Sequence, residues 1–359
     1  MMSDVDSWRR DPVQFLRQRS LKPSDEQLFV LIVEGFLIFN YSLRVYNPPD
    51  PPGYFDGHVW PMYLKNRIEM EDSTPGIGVL TQMVSDEAMK PFGRTYIPAS
   101  YVKYIESGGG RVMPIRLTLR ASEYKTIFRQ INGLLFIGGA VDLQRSDYAR
   151  VAKLFYSLAL RANEAGDFFP IWGTCMGLQL LTVLVAGENL LSNTTAENLA
   201  LPLNLTAEAS SSRMFKGFPD DLMRALAQEP LTGNFHHYGV TVKTFLANTK
   251  LRSFFSILST NVAANGAHFV STMEGKKYPF YGVQWHPEVN RFQWKSGRSF
   301  PHSPHAIQLS SLLAEFFTNE GRRSLHHFED PEEEASSLIY KYNPVYAANI
   351  TGYEQIYFF

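Results

Sequence analysis

Residues 168–184 read FFPIWGTCMGLQLLTVL and contain the only cysteine of the 359-residue chain. The apolar residues before Gly173 predict a strand, and those after Gly177 predict a helix. The two glycines allow neighbouring backbone segments to approach closely, as in a nucleophile elbow, where a sharp strand-to-helix turn presents the reactive side chain. The positive end of the following helix favours a thiolate. We therefore interpret Cys175 as a catalytic nucleophile.

A second motif supports this interpretation over the common alternative, a free cysteine that only fills space in the core. The segment Tyr278–Trp285 predicts a strand, and His286-Pro287-Glu288 follows it. A histidine at a strand end can take the thiol proton and return it to a leaving amine. Pro287 ends the strand, and Glu288 can orient the imidazole. The chain thus supplies a nucleophile, a base and an orienting carboxylate.

The elbow and the His-Pro-Glu motif resemble those of the class I glutamine amidotransferase-like superfamily. Further segments resemble one branch of it, the γ-glutamyl hydrolase family, and the resemblance extends from about Pro75 to the C terminus. These segments are Gly76–Gln82, Tyr96–Lys103, Gly138–Leu143, Ser212–Phe215, Asn234–His236 and Ser271–Gly275. The resemblance implies a catalytic domain over residues 73–359, preceded by an N-terminal extension over residues 1–72.

The resemblance also implies a role for each catalytic residue. Cys175 accepts the acyl group, His286 acts as general base and acid, and Glu288 orients the imidazole. His236 matches a histidine that the family associates with activity. Without the resemblance, His236 would be interpreted as an ordinary loop or strand residue.

An oxyanion hole is implied at the same place. The backbone amides of Met176 and of the turn Gly138-Gly139 are expected to stabilise charge on the scissile carbonyl. Ile137 stands where the family usually has a proline, so the position of the donors in this turn is open at this point.

The order of predicted elements favours one α/β domain, a mostly parallel central sheet with helices on both faces, as in a flavodoxin-like three-layer sandwich. Alternating strands and helices are typical of that arrangement, and its ligands bind beyond the carboxyl ends of the strands. The expected strands are Gly76–Met83, Arg111–Arg116, Gly133–Ile137, Phe168–Gly173, His268–Met273 and Tyr281–Trp285. The expected helices are Ala99–Ser107, Ser122–Gln130, Ser146–Ala165 and Pro304–Glu320.

Other motifs are interpreted without a catalytic part. The pairs of histidines at 302 and 305 and at 326 and 327 are expected on the solvated surface, because no second cysteine and no His-Glu-x-x-His pattern accompanies them. Gly108-Gly109-Gly110 is expected to stop a helix, since it lacks the lysine and threonine of a phosphate loop. We therefore expect neither a metal nor an organic cofactor.

The charge of the chain bears on its partners. A net charge of −1 provides no basic field for nucleic acid. A polyglutamate substrate carries a carboxylate on every residue, so local cations must bind it. Arg94, Lys103 and Arg145 lie in or beside the family segments and are the candidates, although each is also an ordinary surface residue.

The compartment is suggested by weaker features. Residues 28–39 form an apolar run that is too short to span a bilayer and suits a signal-peptide core, but its internal Glu34 equally allows a packed helix. A proline-rich linker follows at residues 47–53. N-glycosylation sequons begin at Asn40, Asn193, Asn204 and Asn349. The resemblance implies a lysosomal or secreted protein, or a vacuolar one if plant-like, and a homodimer.

The sequence therefore predicts a cysteine hydrolase that cleaves γ-glutamyl bonds of folyl and antifolyl poly-γ-glutamates. Two other functions remain open at this point. One is a glutaminase-type amidotransferase subunit that delivers ammonia to a partner synthetase. The other is a catalytically silent homologue that binds folate polyglutamate, a reading motivated by Ile137 and the unusual N terminus.

Overall fold

The computed structural model describes residues 74–359. The N-terminal extension, the apolar run 28–39, the linker 47–53 and the sequon at Asn40 all lie outside the described residues.

The strands are β1 Gly76–Leu80, β2 Gln82–Met83, β3 Thr95–Pro98, β4 Arg111–Ile115, β5 Gly133–Phe136, β6 Ile171–Thr174, β7 Ser192–Leu201, β8 Asn204–Leu205, β9 Thr232–Gly239, β10 Phe255–Val262, β11 His268–Gly275, β12 Phe280–Val283, β13 Val345–Tyr346 and β14 Gln355–Phe358. The α-helices are α1 Ala99–Ser107, α2 Ala121–Gln130, α3 Asp147–Glu164, α4 Met176–Ala186, α5 Asp220–Gln228, α6 Val242–Ala247, α7 Thr249–Phe254, α8 Val289–Phe292, α9 Pro304–Gly321 and α10 Pro331–Ser337.

The central sheet has eight strands in the order β4-β1-β5-β6-β12-β11-β10-β8. The five strands from β4 to β12 pair in parallel, and the remaining three pairings are antiparallel. Strand β6 lies near the middle, between β5 and β12. The predicted mostly parallel sheet is confirmed.

Helices cover both faces of this sheet because consecutive residues of a strand point to opposite faces. On β6, Ile171 joins a core formed with helices α2, α3 and α4, to which Phe128, Phe155 and Leu180 contribute. The next residue, Trp172, joins the opposite core, formed with α1 and α9. Both residues are completely buried. The arrangement is a three-layer α/β sandwich.

Several helices begin and end where the sequence predicts. Helix α1 matches its predicted bounds and ends at Gly108, and Gly109 has a φ of +86°, which favours glycine. The Gly108–Gly110 run is thus a helix stop, as predicted. The hydroxyls of Ser146 and Ser303 accept hydrogen bonds from amides in the first turns of α3 and α9, which satisfies donors that have no partner inside a helix.

Two predicted strands differ from the structure. The strand expected at Gly76–Met83 is broken at Thr81, whose amide and hydroxyl both bond to the Ile115 carbonyl. Strand β2 then joins a separate four-stranded sheet with β3, β14 and β13. The strand expected at Phe168–Gly173 starts at Ile171, because the backbone of Phe169 bonds instead to the Asn163 side chain of α3.

The prediction that His326 lies on the solvated surface is wrong. Its ring packs against Phe128 and Phe169, and its side chain is 10% exposed. Nδ1 lies 2.6 Å from the Phe128 carbonyl oxygen, and Nε2 lies 2.8 Å from Oδ2 of Asp167. The ring is held by polar contacts at both nitrogens and by its apolar face, which packs on the two phenylalanines.

The other three histidines in those pairs fit the expectation better. His302 and His327 are exposed and His305 is half-buried. In the described part of the chain, no helix combines the length and the apolar character that crossing a bilayer requires.

Candidate active site

The carboxyl ends of three neighbouring parallel strands meet at the candidate site. Strand β6 lies between β5 and β12, and Thr174 of β6 pairs with Val283 of β12. Cys175 directly follows β6, and His286 follows β12 by three residues. Because parallel strands end at the same edge of a sheet, the register brings the two side chains together. Their predicted placement at strand ends is confirmed.

Cys175 has the backbone of a nucleophile elbow. Its φ of 52° and ψ of −107° lie outside the regions that non-glycine residues ordinarily occupy. Its amide donates to the Val283 carbonyl at 2.7 Å. The elbow also needs glycine at its far side, since a Cβ on Gly177 would lie 2.1 Å from the Phe136 carbonyl oxygen. Close approach of β5 to the elbow explains this glycine.

His286 is held between Cys175 and Glu288. Nδ1 of His286 lies 2.7 Å from Oε1 of Glu288, and the ring also interacts electrostatically with the Cys175 side chain. A carboxylate only accepts hydrogen bonds, so Nδ1 carries the proton toward Glu288 and Nε2 is the nitrogen available to the thiol. Cys175 and Glu288 are both buried. This geometry is that of a nucleophile, a base and an orienting carboxylate.

The charges in this group favour a protonated imidazole. Burial lowers the pKa of His286, but the Glu288 carboxylate and the Cys175 side chain raise it more, to about 10. The ring is therefore an imidazolium next to a cysteine at neutral pH. Such a pairing favours the thiolate, which is the attacking form of cysteine.

His236 lies on β9 and is buried. Burial, together with the nearby charge of His286, lowers the pKa of His236 to about 4. Neither of its ring nitrogens has a hydrogen-bond partner within residues 74–359. His236 is thus a neutral imidazole near the catalytic pair with unused hydrogen-bonding capacity, which a bound substrate can take up.

The turn after β5 contacts the catalytic pair through Gly138. Its amide donates to the Tyr101 hydroxyl at 2.9 Å, and this hydroxyl lies 3.3 Å from Nδ1 of His286. The bond occupies the amide that the resemblance assigns to the oxyanion hole, so Gly138 can donate to a substrate oxygen only if this bond breaks. Met176 is the first residue of helix α4. A backbone N–H in the first turn of a helix has no acceptor inside that helix. The amides of Met176 and Gly139 therefore remain the proposed donors.

We expect Gly138→Ala to lower kcat/KM by about 100-fold, the order of loss that a displacement of about 1 Å causes in an active site. A Cβ at this position would lie 2.7 Å from the Tyr101 hydroxyl and 2.8 Å from Cε1 of His286. Steady-state hydrolysis assays measure the effect. Gly217→Ala is the matched control, because a Cβ there meets nothing within 4 Å. Equal activities of the two variants would contradict the expected displacement.

The three cations expected to bind substrate are not joined to the catalytic residues. Nζ of Lys103 lies 2.7 Å from Oε1 of Gln355, and Arg94 and Arg145 are exposed. No hydrogen bond or ion pair in the described range 74–359 connects any of the three to the catalytic residues. Their role in binding substrate stays a prediction.

Tyr353 interacts electrostatically with the catalytic group and Arg298 with Tyr353, and the sequence predicts neither role. Burial raises the pKa of Tyr353, the charges of Glu288 and Cys175 raise it further, and Arg298 opposes them. Tyr353 is therefore within electrostatic range of the catalytic group and of Arg298. No local pattern indicates either residue, because both come from C-terminal segments that reach the site only through the tertiary fold.

Tyr101, Gln82 and Gln284 were missed for the same reason. Nε2 of Gln82 lies 3.3 Å from the Gly138 carbonyl oxygen, and Nε2 of Gln284 lies 3.5 Å from Sγ of Cys175. The one available signal was position in the chain, since Gln82 and Tyr101 lie within family segments and Gln284 precedes His286 of the His-Pro-Glu motif by two residues. Across residues 74–359, no three His, Cys, Asp or Glu side chains form a group that could hold a metal ion.

Comparisons with known proteins agree with this geometry. The Peptidase C26 family model matches residues 75–288, which contain Cys175, His286 and Glu288. Gamma-glutamyl hydrolase of Homo sapiens is 50% identical over 285 residues, which are 79% of this chain and 89% of that protein. Gamma-glutamyl hydrolase B of Dictyostelium discoideum is 41% identical over 303 residues, which cover 83% and 87% of the two chains.

A plant relative extends the similarity. Gamma-glutamyl hydrolase 1 of Arabidopsis thaliana is 36% identical over 293 residues, 80% of this chain and 81% of its own length. The family model covers more than half of the chain, and the relatives match it over most of their lengths. The chain therefore belongs to the γ-glutamyl hydrolase family of C26 peptidases.

Proposed function

We propose that the protein is a cysteine hydrolase that cleaves γ-glutamyl bonds of folyl and antifolyl poly-γ-glutamates. The observation that carries this proposal is the arrangement of Cys175 at a strained elbow, His286 interacting electrostatically with it, and Glu288 2.7 Å from Nδ1 of His286. Family membership supports the γ-glutamyl bond as the target. The substrate is a small anionic molecule, and neither a metal nor a cofactor takes part.

In the acylation step, the Cys175 thiolate attacks the γ-carbonyl carbon and a C–S bond forms. The carbonyl oxygen becomes negative, and the backbone amides of Met176 and Gly139 donate hydrogen bonds to it. His286 then gives its Nε2 proton to the departing amine as the C–N bond breaks. A folyl-γ-glutamyl thioester on Cys175 results, and the C-terminal glutamate or glutamyl peptide is released as the amine.

Deacylation uses the same imidazole as a base. Acylation removes the negative charge of Cys175, which is one of the two charges that hold the pKa of His286 high. The neutral imidazole can then take a proton from water, and the resulting hydroxide attacks the thioester. Glu288 accepts a hydrogen bond from Nδ1 and keeps the ring oriented in both steps. The sulfur leaves as a thiolate, which restores the starting state.

We expect Arg298 to bind a carboxylate of the polyglutamate chain, since it is an exposed cation within electrostatic range of Tyr353, which is itself within range of Glu288 and Cys175. Arg298→Met, which keeps the apolar stem and removes the charge, should raise KM about tenfold and change kcat little, as loss of a charged hydrogen bond away from the reacting atoms does. Steady-state kinetics with a folate pentaglutamate measure this.

The matched control removes the partner of that arginine. Nη1 of Arg298 lies 3.1 Å from Oε1 of Glu197. Glu197→Gln breaks this exposed ion pair but keeps the cation, and exposed pairs contribute little to stability. An unchanged KM in Arg298→Met, or an equal rise in Glu197→Gln, would exclude substrate binding by the guanidinium.

The biological setting is proposed on the family resemblance. We place the protein in the lysosome or outside the cell, or in the vacuole if plant-like, as a homodimer with residues 28–39 as a signal segment. Glycosylation is proposed at the four sequons, and the three within the described residues have exposed asparagines, Asn193, Asn204 and Asn349.

Incubation with folate pentaglutamate, followed by mass spectrometry of the products, tests the proposed function. We expect shortened folyl polyglutamates and released glutamate or glutamyl peptides, and their earliest lengths separate cleavage at the end from cleavage within the chain. Turnover of free glutamine that rises with a copurifying partner would instead indicate an amidotransferase subunit. Tight binding without turnover between about pH 4 and 8, the range that brackets histidine titration, would indicate a silent homologue.

A further inference from the structure

The Cys175 sulfur has a second polar neighbour besides His286. Nε2 of Gln284 lies 3.5 Å from Sγ, a distance suited to a sulfur acceptor. Gln284 is completely buried and follows β12 directly. Because Val283 pairs with Thr174 in the parallel ladder, the residues that follow these two, Gln284 and Cys175, are brought side by side. The sulfur therefore lies in contact with a carboxamide as well as an imidazole.

A second glutamine determines which end of this carboxamide meets the sulfur. Nε2 of Gln179, in the first turn of α4, lies 2.7 Å from the Tyr238 carbonyl oxygen and 3.3 Å from Oε1 of Gln284. A backbone carbonyl only accepts, so the NH₂ group of Gln179 faces Tyr238 and has a second hydrogen for Gln284. The oxygen of Gln284 is thus occupied, and its NH₂ group faces the sulfur.

We propose that Gln284 is a catalytic residue that donates a hydrogen bond to the Cys175 thiolate, and that Gln179 is a positioning residue that orients the Gln284 carboxamide. A buried anion requires donors or opposite charge around it. Gln284 supplies a donor that stays neutral at every pH and in each protonation state of His286. It therefore holds the sulfur in place whether the imidazole is protonated or neutral.

This proposal rests on the proposed function only in taking Cys175 as the nucleophile, and the test does not need a substrate. The chain has one cysteine, so alkylation by iodoacetamide reports on Cys175 alone. In the full-length protein, Gln284→Met keeps the length of the side chain and removes the donor. We expect its alkylation rate at pH 6 to fall about tenfold and the midpoint of the pH profile to rise by about one unit, as expected for loss of a hydrogen bond to a charged group.

The rate of hydrolysis should fall together with the reactivity of the thiolate, so we expect kcat/KM of Gln284→Met to be lowered by about 10- to 100-fold. Gln284→Glu, which brings a carboxylate next to the sulfur, should move the alkylation midpoint further up than Gln284→Met. Asn163→Leu is the matched control, because it removes another side-chain amide, one that bonds to the Phe169 backbone at the opposite end of β6. Its alkylation profile should match that of the wild type.

Gln179→Met tests the orientation of the Gln284 carboxamide without removing the donor. It also replaces Gln284→Met as the test if that variant does not fold. It keeps Gln284 but releases its oxygen, so we expect a smaller change in the same direction, about two- to fivefold. An unchanged alkylation profile in folded Gln284→Met, or in Gln179→Met if the former fails to fold, would overturn the proposal, even if hydrolysis fell. If alkylation shifts as expected while the wild type cleaves no γ-glutamyl bond, Gln284 keeps its role and the proposed function fails.

Discussion

Cys175→Ala is expected to lower kcat for γ-glutamyl hydrolysis by about 10⁴-fold or more, the loss that follows removal of a covalent nucleophile. Alanine also has a Cβ, so the backbone strain at residue 175, where φ is 52°, is the same in both proteins. The substitution removes only the sulfur, which is in contact with His286 and Gln284. Product formation from folate pentaglutamate, followed by mass spectrometry, measures the rate.

The control for this variant is substrate binding. Met176 and Gly139 keep their amides, and Arg298 is unchanged, so the affinity for substrate should stay within a few-fold of the wild type, as seen when a mutation removes an interaction made only in the transition state. Circular dichroism and thermal unfolding verify the fold. Cleavage at the wild-type rate would exclude Cys175 as the nucleophile.

His286→Ala is expected to lower kcat by about 10³-fold or more, because the same imidazole protonates the leaving amine and activates water. It also removes the cation beside Cys175, so the alkylation rate of the thiol at pH 6 should fall. The double variant Cys175→Ala, His286→Ala should be no slower than Cys175→Ala alone, since residues that act as a unit are not additive. Steady-state rates of the three proteins provide the comparison.

An additive result would contradict the shared role. If the double variant loses the product of the two single losses, His286 acts separately from Cys175, and the pairing drawn from the structure is wrong. Asn163→Leu, which removes hydrogen bonds to the Phe169 backbone at the far end of β6, serves again as a matched control and should retain the wild-type rate.

The parts of the molecule that local sequence determines were predictable. The elbow depends on two glycines beside a cysteine between apolar runs, and the helix Ala99–Ser107 depends on spacing and on a glycine stop. The proximity of Cys175 and His286 was also predictable, because both lie at strand ends of one parallel sheet. In each case, the deciding interactions connect residues close in the chain or follow from the sheet type.

The parts that depend on distant contacts were not predictable. Tyr101 is 185 residues from His286, and Gln284 is 109 residues from Cys175, so no periodicity relates them. Their contacts follow from the strand order and register, which the pattern of apolar residues does not encode. His326 was misplaced for a similar reason, since its buried position depends on Phe128 of a helix almost 200 residues earlier.

The most direct test of Cys175 as the nucleophile is detection of the acyl-enzyme. Wild-type protein is mixed with folate pentaglutamate, quenched with acid within a single turnover, digested and analysed by mass spectrometry. We expect a folyl-γ-glutamyl adduct on the peptide that carries Cys175, formed and lost at rates consistent with turnover and absent from Cys175→Ala. Substrate cleavage with no adduct on Cys175, or with an adduct on another residue, would contradict it.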